Sequence, residues 1–280
     1  MSRDGGGDVT TDTSPPASGP PVLRTTGVAK AYGHVTALRG IDFELDRGEI
    51  HALVGDNGAG KSTFIKILSG TERPDSGTIE IDGQPVRFAA PGDAQRCGIE
   101  TVYQDLAIAE SLDAGENVFL GRERLRPGPL GRLGFVDRRA MRRETAAHLR
   151  DLGIRLPSVG SPCEALSGGQ KQAVAVARAA VWGRRILLMD EPAAALGVRQ
   201  TRQVLDLIRR SRDEKGLSII FISHNVDQVL AVADRVTVLR LGRVVLDCDR
   251  DTATLELLTR AMSGFAMSSE SRGQVSTGGE

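Results

Sequence analysis

The chain has 280 residues, 40% of them hydrophobic, which is enough to bury a sizeable core, and it lacks any apolar run of the roughly 18 to 20 residues a membrane helix needs. Its 36 Lys plus Arg balance 36 Asp plus Glu, so no overall positive field gathers nucleic acid or anionic lipid, and any such binding has to be local. Cys97, Cys163 and Cys248 lie far apart with no C-x-x-C pair, which argues against a disulfide framework or zinc site and for a reducing compartment; the N-terminus also lacks the basic-then-apolar order of a signal peptide.

Residues 1–21 are rich in Gly, Ser, Thr, Asp and Pro and bury too little to offset ordering entropy, so a disordered tail is expected there; the same composition recurs over 263–280. The folded part is then 22–262. Ile50–Val54 is a continuous apolar run, as in a strand buried on both faces, and a helical pattern at Phe64–Leu68 follows it. Thr78–Phe88 reads as antiparallel, with Asp82-Gly83 as a hairpin turn. Between Asp105 and Cys163 the strand signal fades and helical stretches such as Arg139–Leu152 take over, so a helical subdomain at about 105–165 is inserted into the core. A helical stretch at Ala173–Val181 and buried strands at Ile186–Met189 and Leu217–Ile222 complete the pattern. Strands alternating with helices predict an α/β fold with a mostly parallel sheet, an antiparallel β subdomain and the inserted helical subdomain.

Gly55–Thr63 reads G-D-N-G-A-G-K-S-T and matches G-x-x-x-x-G-K-[ST] between a buried strand and a helix, the context of a P-loop NTPase. Gly55, Gly58 and Gly60 let the backbone, Asn57 included, wrap phosphate oxygens with successive N–H groups and a helix N-terminus. Lys61 would reach the β- and γ-phosphates of ATP, with Ser62 on Mg²⁺ and Thr63 beside it. Ile186–Glu191, I-L-L-M-D-E, delivers two acids at the C-terminal edge of a buried strand, where open α/β sheets bind ligands. There Asp190 would hold Mg²⁺ through water and Glu191 would polarise the attacking water.

Leu166–Gln170, L-S-G-G-Q, lies twenty-four residues before Asp190 and opens a helical stretch. Together with the phosphate loop and the acids it resembles the ATP-binding cassette family of transport ATPases, and the resemblance covers about 22–262. It implies that Ser167, Gly168, Gly169 and Gln170 act on the ATP held by a partner cassette, so that hydrolysis needs a second copy or a related subunit. Tyr32, twenty-three residues before Gly55, matches the aromatic that stacks on adenine. Gln104 in V-Y-Q-D-L matches the glutamine that contacts Mg²⁺ and water, and His224 in F-I-S-H-N matches the histidine that senses the γ-phosphate. A lone histidine is ordinarily structural, but order and spacing reverse that reading here, whereas His34, His51 and His148 match nothing and read as surface or packing residues.

Two departures stand out: after Glu191-Pro192 the family usually has Ser or Thr where this chain has Ala193, and the run Ala194-Ala195-Leu196-Gly197 puts Gly197 in place of the acid that the family carries across the dimer interface, so an interfacial contact that links the two sites is missing. The strings Gly48–Thr63, Glu116–Glu123, Ala194–Val198 and Ile222–Val229 look like bacterial monosaccharide importers of the ribose, xylose and fructose type, in which the missing acid is a habit. That implies a membrane permease docked at Gln104–Gly121, an extracytoplasmic sugar-binding protein, and a peripheral place on the cytoplasmic face of the inner membrane. No residue reads the sugar. Rival expectations are an importer for amino acids, peptides or another small solute; a soluble cassette ATPase on ribosomes or DNA, for which the eight arginines of Arg122–Arg143 read instead as a solvated face; and an unrelated P-loop kinase.

Overall fold

The computed structural model describes residues 20–264 except residue 195. Of the expected tails, 1–19 and 265–280 lie outside the described residues, while Ser263 still belongs to the last helix. In chain order the elements are β1 (Leu23–Tyr32), β2 (Val35–Leu45), β3 (Ile50–Val54), α1 (Lys61–Leu68), β4 (Ser76–Ile81), β5 (Gln84–Val86), α2 (Pro91–Arg96) and β6 (Ile99–Val102). The helical stretch follows, with α3 (Ala114–Val118), α4 (Pro129–Arg132), α5 (Arg138–Asp151), a 3₁₀ turn at Cys163–Ala165 and α6 (Gly168–Trp182). The chain then returns through β7 (Ile186–Asp190), α7 (Val198–Lys215), β8 (Ser218–Ile222), α8 (Val226–Val232), β9 (Arg235–Arg240), β10 (Arg243–Asp249) and α9 (Leu255–Ser263).

Two sheets result. One is six-stranded in the order β10-β9-β3-β8-β7-β6, parallel from β9 to β6, with β10 antiparallel at its edge. The other is the antiparallel β2-β1-β4-β5, in which Asp82-Gly83 turns the β4–β5 hairpin as expected. β3, β7 and β8 are buried at every residue, and alternation along them feeds two cores. Ala52, Val54, Leu187, Met189, Ile219 and Phe221 face the layer of α6, α7 and α8. Leu53, Ile186, Leu188, Ile220 and Ile222 face α1 and the antiparallel sheet. Each fully buried aliphatic side chain contributes about 1.5–3 kcal/mol, and apart from His51 in β3 the polar residues of these strands stand at their ends.

The helices between β6 and β7 form their own small core from Ala114, Val118, Phe119, Met141, Cys163, Leu166 and Val174. It draws on α6 as far as Trp182, beyond the expected limit near 165: the Trp182 ring meets Phe119 edge-on at 5.3 Å, and its indole N–H donates to the Val118 carbonyl at 2.7 Å. Buried Asn117 pins the loop before α3, accepting from the Ala109 N–H and donating to the carbonyls of Ala109, Leu112 and Asp113. The three cysteines are free, and no described helix is long and apolar enough to cross a membrane.

At the edge of β3 away from Gly55, His51 is completely buried, its Nε2 2.7 Å from Thr237 Oγ1 and its Nδ1 3.3 Å from Glu49 Oε1. Burial pushes Glu49 up from 4.5 to about 7, with Asp46 and Asp234 adding to the rise and the Asp46 N–H and Arg235 opposing it. Burial pushes His51 down from 6.5 to about 3, with Arg235 adding to the fall and Asp247 opposing it. Burial thus disfavours the charged form of both groups, so between pH 4.5 and 6.5 folding favours a neutral histidine beside a protonated carboxyl. The Glu49 contribution to stability is full below pH 4.5 and lost as pH rises through about 7, whereas that of His51 is full above 6.5 and lost as pH falls toward 3. Between 4.5 and 6.5 the two cancel. In urea titrations across this range Glu49→Gln should gain stability relative to the wild type as pH rises to about 6.5. Parallel pH profiles for the two proteins would sink this reading.

Candidate nucleotide site

The loop from Gly55 to Gly60 joins β3 to α1, and its backbone needs glycine. At Gly55, with φ +152°, a Cβ would stand 2.2 Å from the Leu239 carbonyl oxygen. At Gly60, with φ +107°, it would stand 2.7 Å from both the Ala37 carbonyl oxygen and the Leu38 side chain. Gly60 is the N-cap of α1 and offers no side-chain cap, so the first N–H groups of that helix face the loop's concave side without a side-chain acceptor at the cap.

Lys61 is buried, and its ammonium donates to the carbonyls of Gly55 at 2.7 Å and Asp56 at 3.0 Å, which leaves one of its three N–H donors for a ligand. Burial lowers its pKa, opposed by the charges of Glu191, Asp190 and Asp56. Asp190 closes β7 and is also buried; desolvation raises its pKa and neighbouring Glu191 adds to the rise, while the Ser62 hydroxyl, Lys61 and Lys66 oppose it. Glu191 sits in the left-handed region at φ +49°, and its N–H donates to the Ile222 carbonyl at the end of β8. That conformation is costly for a non-glycine residue. It aims the carboxylate at His224, whose Nδ1 lies 3.2 Å from Glu191 Oε1.

Tyr32, Asn57, Gly58, Gly60, Lys61, Ser62, Thr63, Gln104, Glu191 and His224 line one open cleft of about 760 Å³. Gly55 and Asp190 are not on its wall; they lie at the foot of the loop and under Lys61. Val35, Thr36 and Ala37 at the start of β2 and Met262 of α9 also line the cleft, and sequence reasoning did not single them out. The first three follow Tyr32 across the β1–β2 turn, so its pairing with Val35 was the available signal. Met262 had no local signal.

Ser167, Gly168, Gly169 and Gln170 are not part of that cleft. They form the N-terminus of α6, with Ser167 as N-cap in a reciprocal box: the Ser167 N–H donates to Gln170 Oε1 at 2.9 Å, and the Gln170 N–H donates to Ser167 Oγ at 3.4 Å. Ser167 and Gly168 are exposed. Gly197 is the N-cap of α7, and Gln200, three residues on, lies against it: a Cβ on Gly197 would stand 2.8 Å from Gln200 Oε1.

A family model described as ABC transporter matches residues 38–194, more than half of the chain. The chain belongs to the ABC transporter family. As an ABC cassette it binds ATP and is an ATPase. It is 49% identical over 225 residues to the fructose import ATP-binding protein of Rhizobium meliloti, covering 80% of this chain and 86% of that protein. Against the xylose/arabinose import ATP-binding protein of Sulfolobus acidocaldarius it is 42% identical over 253 residues, 90% of this chain and 98% of that one. Against a ribose import ATP-binding protein of Rubrobacter xylanophilus it is 43% identical over 244 residues, 87% of this chain but 47% of that protein, so it spans about half of that relative. In fold the cassette is similar to an ATP-binding cassette of an ABC transporter in its ADP conformation, with TM-score 0.72, 23% identity and coverage of 87% of this chain and 95% of that one. A cassette of an ABC transporter complex from Clostridium perfringens gives TM-score 0.72 at 27% identity, with 86% and 93% coverage.

Gly60→Ala should destabilise the fold by about 1–3 kcal/mol of overpacking and abolish ATP binding, measured with a fluorescent nucleotide. Gly48→Ala, also at positive φ but with nothing within 4 Å, should cost about 1–2 kcal/mol of backbone strain and leave binding intact. A Gly60→Ala chain that binds ATP like the wild type would refute this account of the loop.

Proposed function

We propose that this ABC cassette is the ATP-hydrolysing subunit of a monosaccharide importer, working as a pair of cassettes beneath a separate permease on the cytoplasmic face of the cell membrane. The observation that carries the paired reading is that the phosphate loop, Gln104, Glu191 and His224 share one cleft that the L-S-G-G-Q helix start does not reach. An exposed, capped helix N-terminus with two glycines suits contact with a phosphate held by another chain. The sugar reading rests on the import proteins for fructose and for xylose/arabinose, matched over 86% and 98% of their lengths.

In this reading Tyr32 stacks on adenine, and Asn57, Gly58, Gly60 and Thr63 wrap the phosphates. The free N–H of Lys61 reaches the β- and γ-oxygens. Ser62, Asp190 and Gln104 offer only hard oxygen donors, and the buried, desolvated Asp190 carboxylate beside Ser62 has the character of a Mg²⁺ site that keeps most of its waters. Bound there, Mg²⁺ would neutralise charge on the phosphates. Glu191 orients the attacking water, held in place by its strained backbone, and His224 reports the γ-phosphate to Glu191 across their 3.2 Å contact. The cassette spans 22–262 with its helical subdomain at about 105–165, and Gln104–Gly121, from the Gln104 loop into that subdomain, is the segment for the permease. A homodimer and an extracytoplasmic sugar-binding protein complete the assembly.

Glu191→Gln should keep ATP binding and lose about 10²–10⁴-fold in hydrolysis, the range of general-base catalysis. Added with Mg-ATP to native membranes, it should retain a polytopic permease, and cells carrying it as sole copy should fail to take up the cognate monosaccharide. Recovery of ribosomal or DNA-associated proteins without a permease, or undiminished uptake of ribose, xylose and fructose alike, would overturn the proposal.

A further inference from the structure

The arginine-rich stretch beyond the permease segment has no part in the site above. Between α3 and α5 the chain folds back on itself through the Leu125–Val136 bridge, closed by the Arg126 N–H to the Phe135 carbonyl at 2.8 Å and the Asp137 N–H to the Arg124 carbonyl. The short α4 seals the tip: at Gly131 a Cβ would strike the Arg126 carbonyl oxygen at 1.9 Å. The product is a compact knob whose large apolar side chains face outward. Leu133 is 75% exposed, Leu125 55%, Phe135 53% and Leu130 43%.

Charge accompanies them. Residues 122–143 hold eight arginines against two acids, Glu123 and Asp137, in a chain whose net charge is zero. Arg122, Arg124, Arg138 and Arg142 are paired to Glu100, Glu144, Glu116 and Asp113. Arg126, Arg132, Arg139 and Arg143 are exposed and have no carboxylate partner among the described residues. Arg139 and Arg143 are four residues apart on α5 and so share a face of it.

We propose that this knob docks on an anionic lipid surface, the leucines and Phe135 entering the headgroup boundary and the unpaired guanidiniums meeting lipid phosphates. Protruding aliphatic side chains with unpaired arginines close by in the sequence are the chemistry of interfacial insertion. A nucleic acid would call for aromatic platforms, and the knob has a single aromatic ring. The contact is independent of which solute the transporter carries and needs no permease.

The test is sedimentation of the full chain with vesicles of phosphatidylcholine alone or with about 30 mol % phosphatidylglycerol, at low salt and at about 0.5 M salt. The wild type should bind the anionic vesicles at low salt, weakly at high salt, and hardly bind the neutral ones. The pair Arg126→Glu and Arg132→Glu should lose roughly tenfold or more in partitioning, and so should Leu130→Ser with Leu133→Ser, with ATPase activity unchanged as the check on folding. Equal binding to both vesicle types, no binding to the anionic vesicles at low salt, or binding that survives both variants would each overturn the proposal.

Discussion

The site depends on three parallel strands that end side by side. β3, β8 and β7 are adjacent, with Leu53 opposite Ile222 and Ile222 opposite Asp190, so the phosphate loop, His224 and the two acids emerge at one edge of the sheet. Because the strands are buried on both faces, polar groups other than His51 are confined to their ends. Everything chemical about the molecule follows from that confinement: Lys61 and Asp190 are both desolvated there, each disfavoured alone and each favoured by the other. The raised pKa of Glu49, just before the opposite end of β3, arises from the same exclusion of water.

How much of this the sequence discloses varies with the locality of the signal. Ile50–Val54, the Asp82-Gly83 hairpin and α5 were legible because their patterns are carried by consecutive residues, and the structure displaces them by at most two residues. The helical subdomain's core was less legible, since Phe119 and Trp182 meet across more than sixty residues and nothing local marks α6 as shared between two cores. Within the cleft, the loop and acids were readable from spacing, and Val35, Thr36, Ala37 and Met262 were not, because their place comes from strand pairing and from the return of α9. The strained φ of Glu191 was invisible to pattern reading, although it aims the carboxylate.

The departure at Gly197 has a local structural consequence. An acid at an N-cap would bond the first N–H groups of α7; here Gln200 at the third helical position lies against the glycine in its stead, and also against Gly169 of the L-S-G-G-Q helix, where a Cβ would stand 2.6 Å from its Cγ. One side chain thus couples the loop after Glu191 to the start of α6 within a single chain.

The central claim is that one chain's cleft is completed by another chain's L-S-G-G-Q. The direct measurement is ATPase activity of Lys61→Ala chains, Ser167→Arg chains and their mixture. Each variant alone should be inactive, and mixing should restore hydrolysis, because a mixed pair contains one site with an intact phosphate loop facing an intact Ser167. Wild-type hydrolysis by Ser167→Arg chains alone would contradict the account, since the helix start of α6 would then have no part in the reaction.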